Sequence, residues 1–162
     1  MNKMKSSSEK TIFNLDENLR LLHLEQKEEE LYFVVDVRSS SAVCPACHQI
    51  SWRAHSRYSR HVDDLPVSDC HVHFQVLLHK WFCDNPDCPT KVYTERLAWL
   101  HSYKRKTDRL EKTIETIAFS TNCIIAEKVC REMHIPVSHD TLLRRVKARS
   151  VDPTPSTFRR HR

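Results

Sequence analysis

Cys44-Pro45-Ala46-Cys47 and Cys83-Asp84-Asn85-Pro86-Asp87-Cys88 are two short turns, each bracketed by cysteines, with 35 residues between them. Tetrahedral zinc takes four thiolates at about 2.3 Å, and two turns that each hold a pair of cysteines supply that geometry. Pro45 and the Asn85-Pro86 pair suit tight, stiff turns. One such turn carries little information. Two of them, flanking strand-like sequence, point to a zinc site, against the alternative of buried or redox-active free thiols. With all four positions filled by sulfur, the site is structural and leaves no coordination position for water or substrate. His48 follows the first turn and is a possible substitute ligand. Cys70, Cys123 and Cys130 have no ligand spacing, and Cys123 and Cys130 lie on one helical face as small core residues.

The rest of the composition agrees with a metal-held fold. At 162 residues the chain accommodates one ordinary domain or two or three very small ones, and small units need a staple. Seven cysteines, no apolar N-terminal run and no stretch of roughly 18 apolar residues indicate a reducing, cytoplasmic setting without a membrane span. Residues 1–50 carry 6 Lys/Arg against 8 Asp/Glu, and the remainder 20 against 13. An acidic head and a basic body are expected to meet a polyanion, the alternative being a solvated basic surface. Glycine is absent, so turns fall to Pro, Asn, Asp, Ser or His, some at positive φ.

Along the chain, Leu19 to Leu24 and Leu31 to Val37 form a strand pair, with the Lys27–Glu30 charge cluster at the hairpin tip. Leu31, Phe33, Val35 and Val37 share one face. Val72, Phe74, Val76 and Leu78 mark a second strand to Phe82, with His71, His73 and His79 expected to face solvent. Between them lies Trp52 to Val67, with a break expected at Pro66. From Thr107 the period becomes helical: Leu110, Ile114, Ile117 and Ala118 mark a first helix, with Asp108 and Glu111 as a capping-box-like start. A second helix fits Ile124 to Met133, burying Ile125, Ala126, Val129 and Met133. After Ile135-Pro136-Val137, Ser138 caps a third helix to about Ala148, burying Leu142, Leu143 and Val146.

The last two helices have the form of a helix-turn-helix, in which the second helix exposes His139, Arg144, Arg145, Lys147 and Arg149. Such a helix fits the major groove, about 12 Å wide, where Arg reads guanine edges. A plain helical hairpin with a solvated basic face is the alternative. The stretches from Arg53 to Arg60 and from Tyr103 to Arg109 mix Arg and Lys with aromatic and hydroxyl groups, as phosphate contacts or as surface loops. Asp63 and Asp64 lie near His61, but no second carboxylate cluster, nucleophile motif or phosphate-cradling glycine loop accompanies them, so catalysis finds little support.

Taken in order, the chain is similar to the N-terminal half of the ISL-three family of bacterial insertion-sequence transposases. The resemblance rests on Cys44-Pro-x-Cys47, His55-Ser-Arg-Tyr-x-Arg60, Asp64-Leu-Pro66, Trp81-Phe-Cys83, Cys88 and Glu95-Arg-Leu97. It continues through Tyr103-x-Arg-x-Thr-x-Arg-Leu110 and Ile135-Pro-Val-Ser-x-Asp-Thr-Leu-Leu-Arg144. It implies a zinc-binding domain and a helix-turn-helix that together recognise terminal inverted repeats. The family continues into an RNase-H-like domain whose acidic residues hold catalytic metal ions. Only twelve residues follow Ser150 here, so the expectation is a chain that binds DNA and is not itself an enzyme. The family also carries glycines near His48, Asp69-Cys70 and His134.

The expected fold class is therefore α+β: a small β-rich zinc-binding module followed by a three-helix, helix-turn-helix unit. The expected boundaries are a disordered tail over 1–14, the zinc domain over 15–95, a basic connector over 96–106, the DNA-binding unit over 107–150 and a tail over 151–162. Cys44, Cys47, Cys83 and Cys88 are the zinc ligands. Arg53, Arg57, Arg60, Lys104, Arg105, Lys106, His139, Thr141, Arg144, Arg145 and Lys147 are the DNA contacts. The expected partner is double-stranded DNA, with a homodimer or full-length transposase as possible protein partners. Rival expectations are a stand-alone regulator with its own operator, or a zinc-stabilised protein-interaction module.

Overall fold

The computed structural model describes residues 16–149; the tails expected over 1–14 and 151–162 lie outside them. Among the described residues the fold is mixed α+β, with a β-rich sheet and three helices, and the contacts group into two compact units, Met1–Glu111 and Lys112–Arg162.

The first unit is built on one sheet. Its strands are β1 (Leu19–Lys27), β2 (Glu30–Val37), β5 (Ala54–Val67), β6 (Cys70–Phe82) and β7 (Val92–Thr94); β3 (Ala42–Val43) and β4 (Ile50–Ser51) form a separate small ribbon. The order is β1-β2-β6-β5, with β7 pairing the end of β6. β2 and β6 run parallel, from Glu30 opposite His71 to Asp36 opposite Leu77, while the other pairs are antiparallel. Alternation places Phe33, Val35 and Val37 of β2, Val62 of β5 and Val72, Phe74, Val76 and Leu78 of β6 on one face. That face is closed by Trp99 and Leu100, with Leu97 beside them. Residues 96–106 thus belong to the first unit.

Both long hairpins turn through two residues without glycine. Lys27 pairs with Glu30 around Glu28 at φ 51°, and Val67 pairs with Cys70 around Ser68 and Asp69 at φ 50° and 60°. In the second hairpin, positive φ at both central residues is the twist-matched turn that Asn-Gly normally occupies, whereas in the first only Glu28 takes it. The charged tip expected between β1 and β2 is present. Two expectations for this unit need correction. The chain does not break at Pro66: β5 runs on to Val67, and a register shift between Asp64 and Val67 absorbs a residue that cannot donate to the ladder. His71, His73 and His79 are half-buried, because β6 is an inner strand with side chains of β2 and β5 alongside its own. The His73 ring lies 3.0 Å from Asp63, and His79 Nδ1 lies 3.4 Å from Glu95.

The second unit contains most of α1 (Asp108–Ser120), with α2 (Cys123–Glu132) and α3 (His139–Arg149), and α2 packs against α3. Helix α1 buries Leu110, Ile114 and Ala118 as its period requires. Its cap is Thr107, one residue before the expected Asp108: the Thr107 hydroxyl accepts the Leu110 N–H at 3.4 Å. Helix α2 is phased differently from expectation. Ala126 and Cys130 are its buried residues, while Ile125, Val129 and Met133 are exposed. The buried stripe of α2 is thus made by two small side chains one turn apart. Cys130 is buried as expected and Cys123 is half-buried; on α3 only Leu142 is buried, with Leu143 and Val146 at its margin.

Candidate metal centre and nucleic-acid interface

The four cysteines of the two turns converge. Cys44 Sγ lies 3.9 Å from Cys88 Sγ and Cys47 Sγ lies 3.5 Å from Cys83 Sγ. All four sulfurs fall within 4.8 Å of one another. Four sulfurs placed about 2.3 Å from one ion stand about 3.8 Å apart along the edges of the tetrahedron, so these separations fit a four-thiolate site. His48 is exposed and outside the cluster.

Local sequence explains the geometry. In the first turn the Cys44 N–H donates to the Gln49 carbonyl at 2.8 Å and the His48 N–H to the Cys44 carbonyl at 3.0 Å, with His48 at φ 59°. In the second, Asn85 makes an Asx turn, accepting the Asp87 N–H at 3.0 Å on its side chain. Its carbonyl accepts the Cys88 N–H at 3.2 Å. Trp81 and Tyr93 pack beside the sulfurs, and the Tyr93 hydroxyl donates to the Ala42 carbonyl at 2.7 Å, tying β7 to the β3–β4 ribbon.

Without a cation, the four thiols resist ionising together. The Gln49 amide, helped by neighbouring thiols against the pull of burial, lowers Cys47 to about 6. At Cys83 the Asn85 amide acts in the same direction, but burial and the other three sulfurs outweigh it and push the thiol up to about 12. Burial raises Cys88. One thiolate therefore forms readily and opposes the next, and a bound dication reverses that opposition by ionising its thiol ligands outright.

The residues expected to contact DNA divide into those with structural partners and those without. Arg53 donates through Nε and Nη2 to Asp84 Oδ1 at 3.0 and 2.6 Å and lies over the Phe82 ring. It thereby holds Asp84 below the usual carboxylate range. Arg57 faces Asp36 at 3.8 Å. Arg60 donates to the carbonyls of His101 and Lys104 at 3.0 and 2.5 Å. Lys106 pairs with Asp63 at 3.3 Å. Lys104 and Arg105 are exposed and, among the described residues, make no ion pair.

On α3 the same division appears. His139 is half-buried 3.6 Å from Asp140, and Arg145 is half-buried rather than exposed. Arg149 is exposed but engaged, donating to Glu115 at 2.7 Å and lying over the Phe119 ring. Thr141 sits beside the Ser138 cap, 3.1 Å between hydroxyls, and receives a 3.4 Å contact from Arg144. Arg144 and Lys147 present their charges to solvent.

The link between α2 and α3 is closely specified. Asn122 caps α2 by accepting the Ile125 N–H at 3.0 Å. At its other end the His134 N–H donates to the Arg131 carbonyl at 3.0 Å and the Ile135 N–H to the Cys130 carbonyl at 2.8 Å, with His134 at φ 53°. This is a Schellman termination, and Ile135 and Cys130, the two positions whose apolar contact usually accompanies it, are both buried. Ser138 then starts α3, receiving the Thr141 N–H at 3.4 Å.

Comparison with known proteins adds one relationship. The chain is 32% identical over 80 residues to the transposase for insertion sequence element IS1001 of Bordetella parapertussis, an alignment covering 49% of this chain and 19% of that protein. The chain is similar to part of a transposase. No family model matches it, and no solved structure matches it. Among the described residues no helix is long and apolar enough to cross a membrane.

Proposed function

We propose that the chain is a zinc-containing DNA-binding protein in which α2 and α3 act as a helix-turn-helix, resembling the end-recognition region of ISL-three family transposases. The observation that carries this reading is α3 itself. A Schellman turn and a serine cap set its angle against α2, and its outer face presents Arg144 and Lys147 without ion-pair partners among the described residues. Similarity to a transposase, a class of protein that works on DNA, supports the same partner.

In this reading zinc on Cys44, Cys47, Cys83 and Cys88 is structural. Lys104 and Arg105 meet phosphates, and α3 enters the major groove with Arg144 at base edges. Arg53, Arg57, Arg60 and Lys106 serve mainly to hold the first unit in shape. The chain is proposed to recognise DNA ends without carrying out strand transfer, alone, as a homodimer or beside a full-length transposase. Selection of bound sequences from a random duplex pool tests this. Recovery of an inverted-repeat end supports it, recovery of an unrelated motif points to a regulator, and no enrichment points to a protein-interaction module. Arg144→Ala is expected to reduce sequence preference more than bulk duplex affinity; equal losses on specific and random duplex remove its role as a base reader.

A further inference from the structure

Tyr103 occupies an unusual place in the first unit. It is fully exposed and sits at φ 63° in the turn His101 to Lys104, where the Lys104 N–H donates to the His101 carbonyl at 3.3 Å. A third turn residue at positive φ is a glycine or asparagine position, because a side chain there crowds the following carbonyl. Tyrosine takes on that strain and buries nothing in return.

The turn is nevertheless held from several sides. Arg60 donates to both of its end carbonyls, at 3.0 and 2.5 Å. His101 Nδ1 lies 2.7 Å from Asp108, and Arg96 donates to Ser102. Just beyond the turn, the Asp63 N–H donates to the Arg105 carbonyl at 2.9 Å, and Lys106 pairs with the Asp63 carboxylate. A braced, strained turn that displays an unpacked aromatic is the form in which strain accompanies function.

The charges around it indicate the ligand. The nearby carboxylates are engaged: Asp63 by Lys106, Asp64 by Arg109 and Thr107, and Asp108 by His101. Lys104 and Arg105, adjoining Tyr103, are exposed and have no ion-pair partner among the described residues. An unpacked aromatic followed in sequence by two exposed cations matches the chemistry of a nucleotide, with its base on the ring and its phosphates on the cations. In a paired duplex the base faces are covered by their neighbours, so the ring needs a base released from the stack.

We propose that the Tyr103 turn is a base-stacking contact for DNA carrying an unpaired base, such as a frayed or single-stranded end. This rests on the DNA-binding reading and adds a preference that α3 does not provide.

The test uses the zinc-loaded full chain at low ionic strength with two DNAs, a blunt duplex and the same duplex with a short single-stranded overhang. Tyr103→Ala and Tyr103→Gly are expected to lose about tenfold in affinity for the overhang DNA, Tyr103→Phe to retain it, and all three to bind the blunt duplex within about twofold of wild type. Tyr103→Gly should also unfold at higher urea than wild type, which separates lost stacking from lost structure. Unchanged binding of the overhang DNA by Tyr103→Ala, or an equal loss on both DNAs, overturns the proposal and leaves the DNA-binding reading standing. Failure of wild type to bind either DNA overturns both.

Discussion

Replacing Asp64 by alanine tests how the end of the first unit is held. The Asp64 side chain is 1% exposed and accepts three hydrogen bonds: from the Thr107 hydroxyl at 2.6 Å, from Arg109 Nε at 2.7 Å and from Arg109 Nη2. It therefore joins β5 to the cap and first turn of α1. Removing one partner of a buried ion pair costs about 3–5 kcal/mol, because the other charge is left unpaired. Arg109 is 34% exposed and regains some water, which places the expected loss near 3 kcal/mol. With a urea dependence of about 2 kcal/mol per molar, the unfolding midpoint should fall by roughly 1.5 M. Tryptophan fluorescence reads this unit selectively, since Trp52, Trp81 and Trp99 all precede residue 112, and Trp81 and Trp99 are buried. Asp64→Asn, which keeps the shape and one acceptor, should lie between wild type and alanine. A midpoint shift below about 0.3 M for Asp64→Ala, at unchanged slope, refutes the view that this carboxylate ties the two elements together.

Other outcomes follow from the same structure. Stripping the metal with a strong chelator should expose Trp81 and make Cys44, Cys47, Cys83 and Cys88 reactive to thiol reagents, and restoring zinc should reverse both; a chelated protein with unchanged fluorescence counts against a structural metal. Asp69→Gly and His134→Gly should each stabilise their own unit by about 0.5–1 kcal/mol, since each removes a side chain from a left-handed backbone; urea midpoints check this, and a loss at both positions contradicts it. The Arg53–Asp84 pair depresses the folded pKa of Asp84, so its contribution is present at neutral pH and disappears as pH falls through that lowered pKa. Arg53→Gln should move the Asp84 carboxyl titration, followed by NMR, upward toward an ordinary aspartate, and no movement argues against the pairing.

Much of this molecule could be read in its residues because their signals are local. The two cysteine turns, the apolar alternation of β2 and β6, and the three helices appear where spacing and period place them. The absence of glycine also had a legible consequence: His48, Asp69 and His134, the places where the resemblance expected glycine, all adopt positive φ. What was not legible depends on contacts between distant segments. That β2 and β6 run parallel requires a crossover that no local pattern encodes. The phase of α2 was misjudged because Ile125, Val129 and Met133 are larger and more apolar, yet the buried stripe falls on Ala126 and Cys130. Arg53, Arg57, Arg60 and Lys106 looked like a run of free charges; their acceptors, Asp84, Asp36, the carbonyls of His101 and Lys104, and Asp63, lie far away in sequence.

The position of Cys83, directly after the last residue of β6, gives the sulfur cluster a second role. Sliding β6 one residue along β2 would carry Cys83 about 3.3 Å, nearly the span of the 3.5 Å gap to Cys47. Four sulfurs could then no longer surround one ion, and every apolar side chain of β6 would point to the opposite face. An ion held at this site would therefore proofread strand alignment: only the chain whose long strands have met in the correct offset could close its grip on the metal.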